Sequence, residues 1–458
     1  MSQSRSQRLS DEIIGDTPLV SVAFKLGWPA VATMYLIGSF NFIDTKFAGY
    51  LGETALAGIS TGAFLYWDLI GLGNLVSIGT GAILARRMGE RHQAEAERVA
   101  YQGVLASLIF SALVSAAFFL AAPWIFAHVM KTDPEVTRVG LSYLHIIVAG
   151  APLIYLLITT NQIMQSLGDT RRPMELMIFA LAVTIGLDYA LMLGKWGAPA
   201  MGAPGAAVAT VVSRGLYAVL ALGMLASRRF YPGFRLSPHG SWGIDWNLWK
   251  RIAAIGLPTC VEATLFPAVY MVLVGYIVPF GNEHVAAMRV GHTIEGLTFF
   301  AALGMGMAMR PIVGQNLGAG QPERAEKAAW TGAAMLGIPV LAFSATMFFA
   351  PEAIASLITD DPHVVRASLS YLRIVSIAQI FMVFELVFVG AFSGAGETVT
   401  PMVIIVPLNL VRWPAVALAQ SMGMGVEAVW WAISITGILK GTAAVAAFSL
   451  GRWKLKEI

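Results

Sequence analysis

The sequence predicts an all-α integral membrane protein, with twelve transmembrane helices in two pseudo-symmetric six-helix lobes around a central cavity. Three observations carry that expectation. Only 12% of the 458 residues are charged while 57% are hydrophobic, about half the charge a water-facing globular surface needs. The apolar residues fall into twelve runs, each long enough to cross a bilayer. The chain also repeats itself at half its length.

A helix needs about 20 apolar residues to span the hydrocarbon. The runs cover roughly 20–49, 54–85, 95–127, 136–166, 173–194 and 202–227, then 248–279, 284–316, 323–349, 364–393, 398–422 and 426–450. Turn residues separate them: Gly52, Asp133-Pro134, Gly168-Asp169, Pro204-Gly205, Gly281-Asn282, Gly320-Gln321-Pro322 and Asp361-Pro362. The 46 Gly and 21 Pro suit membrane helices, where neighbours re-satisfy freed backbone groups. This divides the chain into a polar N-terminus (1–19), a first lobe (20–227), a linker (228–247), a second lobe (248–450) and a tail (451–458).

Basic residues set the orientation, because cytoplasmic loops concentrate Lys and Arg. Arg5 and Arg8 precede span one, and Arg86, Arg87, Arg91 and Arg98 follow span two. Arg171 and Arg172 follow span four, and Arg228, Arg229, Arg235, Lys250 and Arg251 surround the linker. Arg324 and Lys327 follow span eight, and Arg452, Lys454 and Lys456 close the chain. The alternate loops hold only Lys46, Lys131, Arg138, Lys195 and Arg366. Both termini are therefore expected in the cytoplasm. Residues 1–18 lack the pattern of a cleaved signal peptide, so span one is expected to be the insertion signal. Cys260 is the single cysteine and cannot form an intramolecular disulfide.

The repeat appears in polar loop residues as well as in apolar runs. At an offset of 229, Gly27-Trp28-Pro29 matches Gly256-Leu257-Pro258. Met88-Gly89 with Ala96-Glu97-Arg98 matches Leu317-Gly318 with Ala325-Glu326-Lys327, and Tyr101-Gln102-Gly103 matches Trp330-Thr331-Gly332. At 228, Leu141-Ser142-Tyr143-Leu144 matches Leu369-Ser370-Tyr371-Leu372, and Gly168-Asp169-Thr170 with Pro173-Met174 matches Gly396-Glu397-Thr398 with Pro401-Met402. Six spans separate the copies, so they run the same way through the membrane, as in transporters whose halves face each other across a cavity.

Charges inside hydrocarbon are costly and mark function by default. Asp44 and Asp188 stand out, because each lies five or six residues from the outer end of its span. That is roughly 8–9 Å deep at 1.5 Å per residue. Two acids at one depth in one lobe can share a proton or a small cation. Neither has an acidic counterpart in the second half, where the matching positions are Leu273 and Val416. Asp68 and Glu295 fall near equivalent repeat positions and are candidates for a cavity that meets cationic substrates; Glu262 and Glu385 are further candidates there. Each of these could instead be a buried hydrogen-bond anchor. The roles of Arg289, His292 and Arg412 are left open. No Walker loop is present, so ATP does not drive the chain directly. The histidines show no metal-ligand spacing, and neither a metal nor a cofactor is expected. Gly58-Ile59-Ser60-Thr61-Gly62 has nucleophile-elbow spacing without the strand such an elbow needs; on a membrane helix it reads as a small-residue packing face. A net charge of +3 is too small to suggest nucleic acid.

Five stretches, in order and each at the right span, resemble the multidrug and toxic compound extrusion (MATE) transporters over nearly the whole chain. They are Phe42-Ile43-Asp44-Thr45 with Gly49 and Gly52; Gly79-Thr80-Gly81 with Ala85-Arg86-Arg87-Met88-Gly89; Ser166-Leu167-Gly168-Asp169-Thr170 with Pro173-Met174; Gly314-Gln315-Asn316-Leu317-Gly318-Ala319-Gly320; and Gly394-Ala395-Gly396-Glu397-Thr398 with Pro401. The resemblance implies twelve helices in two lobes and an antiporter that exports drugs, toxic compounds or metabolites in exchange for protons or sodium. An acid in span five favours the DinF-like branch. There the acids matching Asp44 and Asp188 belong to the first-lobe cation site, Pro29 matches the proline about which span one bends, and Asn161 resembles a polar member of the site. Thr184 stands where that branch often has Asn, and Thr293 where it usually has Arg. Glu262 comes about a turn before the span-seven acid of the NorM-like branch. The alternative within transport is a flippase for lipid-linked precursors. An intramembrane enzyme lacks a paired nucleophile and base here, and a receptor lacks an appended domain. The expected partners are a small, cationic or amphipathic substrate and the bilayer around a monomer.

Overall fold

The computed structural model describes residues 5–130, 132–237 and 243–458. Lys131 of the basic-residue argument, residues 1–4 of the N-terminal arm and 238–242 of the linker lie outside the described residues. A short helix, α1 (Arg5–Ile14), precedes the spans. The first lobe follows as α2 (Leu19–Gly49), α3 (Glu53–Gly89), α4 (Gln93–Trp124), α5 (Pro134–Ala149), α6 (Ala151–Ser166), α7 (Arg171–Leu187) and α8 (Ala203–Ala226). The second comprises α9 (Trp246–Ile277), α10 (Asn282–Gly318), α11 (Pro322–Phe349), the short α12 (Pro351–Ala355), α13 (Pro362–Ser376), α14 (Gln379–Ala395), α15 (Val399–Leu410), α16 (Arg412–Ser421) and α17 (Glu427–Ser449).

Ten helical segments are long and apolar enough to span a membrane among the described residues, and two bent pairs complete the twelve. The bends show that the repeat is structural. Helices α5 and α6 meet at 54° around Gly150, and one repeat later α13 and α14 meet at 53° around Ala378. In the first lobe the break coincides with Pro152 in the first turn of α6, where a missing N–H costs nothing.

The first helix of each half does not stay in its own lobe. Val22, Ala23, Leu26 and Ala30 of α2 pack into the core formed by α10, α11 and α14, whereas Phe40 and Ala48 pack into first-lobe cores. Helix α9 does the reverse: Leu248, Ile252 and Ile255 join the first-lobe core, and Val269, Leu273 and Ile277 the second. Pro29 and Pro258 sit at the two crossings. Proline removes one helical hydrogen bond and crowds the carbonyl a turn earlier, so a helix can turn there from one lobe to the other. The cut at the linker therefore divides the chain, while the packing exchanges one half-helix in each direction.

At the end of the bundle that carries the arginine-rich loops, the lobes meet backbone to backbone. A Cβ on Gly89 would lie 2.0 Å from the Gln315 carbonyl oxygen, and one on Gly318 would lie 2.1 Å from that of Arg86. Gly79 and Gly256 are equally tight against Ile252 and Leu75. Only glycine permits such contact, the general logic of small residues between membrane helices.

Candidate functional site

Helix α7 ends in a π-helical turn, Asp188–Met192, a feature that recurs at functional sites. Asp188 opens that turn and is fully buried in the lobe. Asp44 comes from the C-terminal half of α2, and its carboxyl lies within hydrogen-bonding reach of the Asp188 carboxyl. Both oxygens of Asp188 and Oδ1 of Asp44 lack any donor among the described residues. Two carboxylates are both acceptors, so their contact becomes a bond only when a proton or cation lies between them.

Two further groups complete this site. The Arg214 guanidinium of α8 is in electrostatic range of Asp44 and is stacked on Phe40 and Tyr66, 5.2 and 4.9 Å from their ring centres. Its Nη1 is buried without a partner among the described residues. Tyr143 of α5, buried, is in range of both acids. The fixed charges are two carboxylates and one guanidinium, so one monovalent cation neutralises the set. Sequence reasoning missed Arg214. The rule that singles out Asp44 applies equally to a lone arginine inside span six, and counting acids alone passes over it.

Thr184 is engaged one turn from Asp188, whereas Asn161 is engaged within its own helix, α6. The Thr184 hydroxyl lies 2.7 Å from Ser213 Oγ and donates to the Ala180 carbonyl at 3.0 Å, tying α7 to α8 one turn from Asp188. Asn161 Oδ1 accepts from Gln165 Nε2 at 2.9 Å. Pro29 lies at the crossing of α2, its carbonyl taking the Thr33 hydroxyl at 2.8 Å.

The second-lobe candidates form two clusters. Glu295 of α10 accepts from Tyr371 Oη and Gln379 Nε2, each at 3.2 Å. Arg412 is in electrostatic range of Glu295, donates to Thr436 Oγ1 at 2.7 Å and lies over the Tyr270 ring at 5.6 Å. His292 stands edge-on to Tyr270 and Tyr371, at 5.1 and 6.1 Å. In the other cluster, Glu385 is 2.9 Å from Lys440 Nζ in a buried ion pair, with Glu262 in range of both. Asp68 is half-buried on α3, one turn from Gly71, which meets Ala263 of α9. Arg289 is exposed. Glu295 is not the repeat partner of Asp68: an offset of 229 from Glu295 leads to Tyr66, the residue that stacks on Arg214.

The same family model, MatE, matches residues 29–190 and again residues 258–418. The chain belongs to the MatE family. The starts and the ends of the two matches are separated by the two offsets of the internal repeat. Among similar proteins, a probable multidrug resistance protein NorM of Thermotoga maritima is 25% identical over 437 residues, covering 95% of this chain and 93% of that one. An FAD transporter of Shewanella oneidensis is 27% identical over 434 residues, covering 93% of each. The fold matches an outward-facing multidrug resistance MATE transporter with a TM-score of 0.88, at 22% identity over all of both chains. It also matches a MOP superfamily transporter from Pyrococcus furiosus, described as having a binding pocket of reverse polarity, with a TM-score of 0.87 at 23% identity over 99% and 98% of the two chains. As a MatE protein the chain is a multi-pass membrane transporter of small molecules and not an enzyme.

Proposed function

We propose that this MatE transporter is a cation-coupled antiporter of the DinF-like branch, which exports cationic or amphipathic compounds in exchange for protons or sodium. The observation that carries the reading is the pairing of Asp44 and Asp188 under Arg214. A lone proton or sodium ion bridging the carboxylates removes their repulsion and leaves the site neutral. Asp44 lies on the half of α2 beyond Pro29, so cation binding acts on the helix that crosses between lobes. Binding can shift the conformational balance only by its difference in affinity between the two states, and the site supplies one if the acids separate when α2 bends. Thr184 supports the site from one turn before Asp188, and Asn161 of α6 is assigned to it by the family resemblance. Asp68 and Glu295 face the substrate. The arginine-rich end, with both termini, lies in the cytoplasm of a cell whose plasma or inner membrane holds the protein as a monomer.

The test is substrate efflux from proteoliposomes under an imposed proton or sodium gradient. Asp44→Asn and Asp188→Asn are expected to abolish coupled efflux while insertion and monodispersity persist. Wild-type efflux in both variants would remove the joint site. Efflux that survives collapse of both gradients yet stops on ATP depletion would remove ion coupling altogether.

A further inference from the structure

Lys440 is the fourteenth residue of the 23-residue α17, roughly 20 Å along the helix from its start. A lysine at that depth is among the costliest residues a membrane helix can hold and persists where it is paired. Its partner is Glu385 of α14, 2.9 Å away, and the two side chains are 8% and 7% exposed. Glu262 of α9 approaches from the side, in range of both. Arg412 of α16 also faces Lys440, though its Nε is committed to Thr436. Glu295 faces Arg412 in turn and is held by Tyr371 and Gln379. Three helices thus bring two carboxylates around one ammonium. The first-lobe acids have no such contact: Arg214 is in electrostatic range of Asp44 with its Nη1 unpartnered among the described residues, and the repeat partners of Glu262 and Glu385 are Thr33 and Leu157.

An ammonium is a compact unit charge with three donors on a flexible stem. Beside two carboxylates it takes the place of a bound monovalent ion, with the difference that it cannot leave. We infer that Lys440 is a tethered cation that fills the Glu262–Glu385 site and bars the second lobe from binding an exchangeable ion. Coupling is then confined to the first lobe, which rests on the function proposed above. Ion choice in this protein is set as much by the site Lys440 closes as by the site Asp44 and Asp188 open. With Lys440 neutralised, Glu262 and Glu385 lose their tethered cation, and a small cation can enter where the ammonium was.

The experiment measures equilibrium binding of radioactive sodium, and sodium-dependent thermal stabilisation, on purified full-length protein in the Asp44→Asn background, which silences the first-lobe site. Adding Lys440→Met is expected to raise sodium affinity at least tenfold, and adding Glu385→Gln to that variant is expected to abolish the gain. The Lys440→Met, Glu385→Gln pair removes both charges together, which buried ion pairs tolerate far better than loss of one partner, and so serves as the folding control. If Lys440→Met alone fails to fold, Glu262→Gln in the otherwise native protein decides. Unchanged cation affinity is expected with Lys440 in place, and a fall in affinity overturns the inference. So does a Lys440→Met variant that folds and binds no more sodium than its parent. Coupled efflux retained by Asp44→Asn alone would instead sink the proposed first-lobe mechanism and leave the sodium gain standing.

Discussion

Tyr143 and Tyr371, one repeat apart, each lay their ring against a glycine of the neighbouring long helix and stand beside the acids of their own lobe. A Cβ on Gly62 would lie 2.8 Å from Tyr143 Cδ1, and one on Gly291 would lie 2.0 Å from Tyr371 Cε1. Gly62 and Gly291 are themselves one repeat apart. The scaffold that presents a tyrosine to an acid is therefore duplicated, while the acids are not: the first lobe offers Asp44 and Asp188, the second Glu295. Gly291→Ala should force the buried Tyr371 ring aside and destabilise the protein by about 1–3 kcal/mol. Tyr371→Phe removes a donor from the Glu295 carboxylate and should cost about 1.5–3 kcal/mol. Denaturation in detergent measures both, and wild-type stability in Gly291→Ala would show that the ring has room to move.

In the proposed coupling site, Arg214 is the fixed positive charge beside the two acids. With it, one cation balances two carboxylates; without it, two are needed. Arg214→Gln is expected to raise the number of cations exchanged per substrate from one towards two, read from the gradient at which net substrate flux reverses. An unchanged reversal point would show that Arg214 packs on Phe40 and Tyr66 without entering the charge balance.

Much of this was legible in the sequence. The twelve spans, the repeat and the juxtaposition of Asp44 with Asp188 follow from apolar run length, polar loop matches and equal depth. The exchange of half-helices was not legible, because Pro29 and Pro258 say that a helix can bend and not which lobe each half will join. The sharp breaks in the fourth and tenth spans were equally hidden: Gly150 and Ala378 interrupt runs that stay apolar on both sides. The intramembrane bases Arg214, Arg310 and Lys440 were passed over, although desolvation penalises a buried guanidinium or ammonium as it does a carboxylate and the rule applied to the acids covers them too.

Substrate choice and ion coupling should separate by residue. Asp68→Asn and Glu295→Gln are expected to change the ranking of exported compounds severalfold while efflux stays gradient-dependent. Competition among cationic, neutral and anionic amphipaths in one vesicle assay reads this directly. Identical rankings in wild type and both variants would take these acids out of the substrate path.

Alternating access should appear as opposite distance changes at the two ends of the bundle. Gly89 and Gly318 cannot carry a probe, because each lies against a backbone carbonyl across the lobe interface. Labels at the exposed Ala94 and Glu323 report the arginine-rich end, and labels at Glu53 and Glu283 report the other. During a transport cycle one pair should lengthen as the other shortens. If both stay fixed, the lobes do not rock.

Helix α1 and the C-terminal tail each cross-link the two lobes at the arginine-rich end. In the tail, Arg86 of α3 donates to the Lys456 carbonyl and Arg87 to that of Ile458 at 3.4 Å. From the second lobe, Glu397 pairs with Lys456 at 3.0 Å and Glu326 with Lys454 at 2.6 Å. Helix α1 and the turn after it do the same from the other side: Asp11 meets Arg91 at 3.1 Å, while Arg324 donates to the Ile13 carbonyl at 3.3 Å and the Thr17 carbonyl at 2.7 Å. These ties hold the lobes together where the glycines touch. Removing residues 454–458 leaves the stacked Trp453 anchor on Phe448 in place and cuts the tail's cross-links, so the Ala94–Glu323 distance should lengthen and broaden in the resting protein. Acid should act in the same direction through Glu397. Burial alone would raise its pKa, but the Lys456 ion pair and the Thr400 hydrogen bonds outweigh burial and hold it below the ordinary glutamate value. A depressed carboxylate stabilises the docked tail above the ordinary glutamate range, and that contribution is lost as pH falls through its lowered value. Opening on acidification should therefore be seen in the full-length protein and be absent from Glu397→Gln, which begins without the charge. An acid response of equal size in both would assign the opening to other groups and free the tail from any part in it.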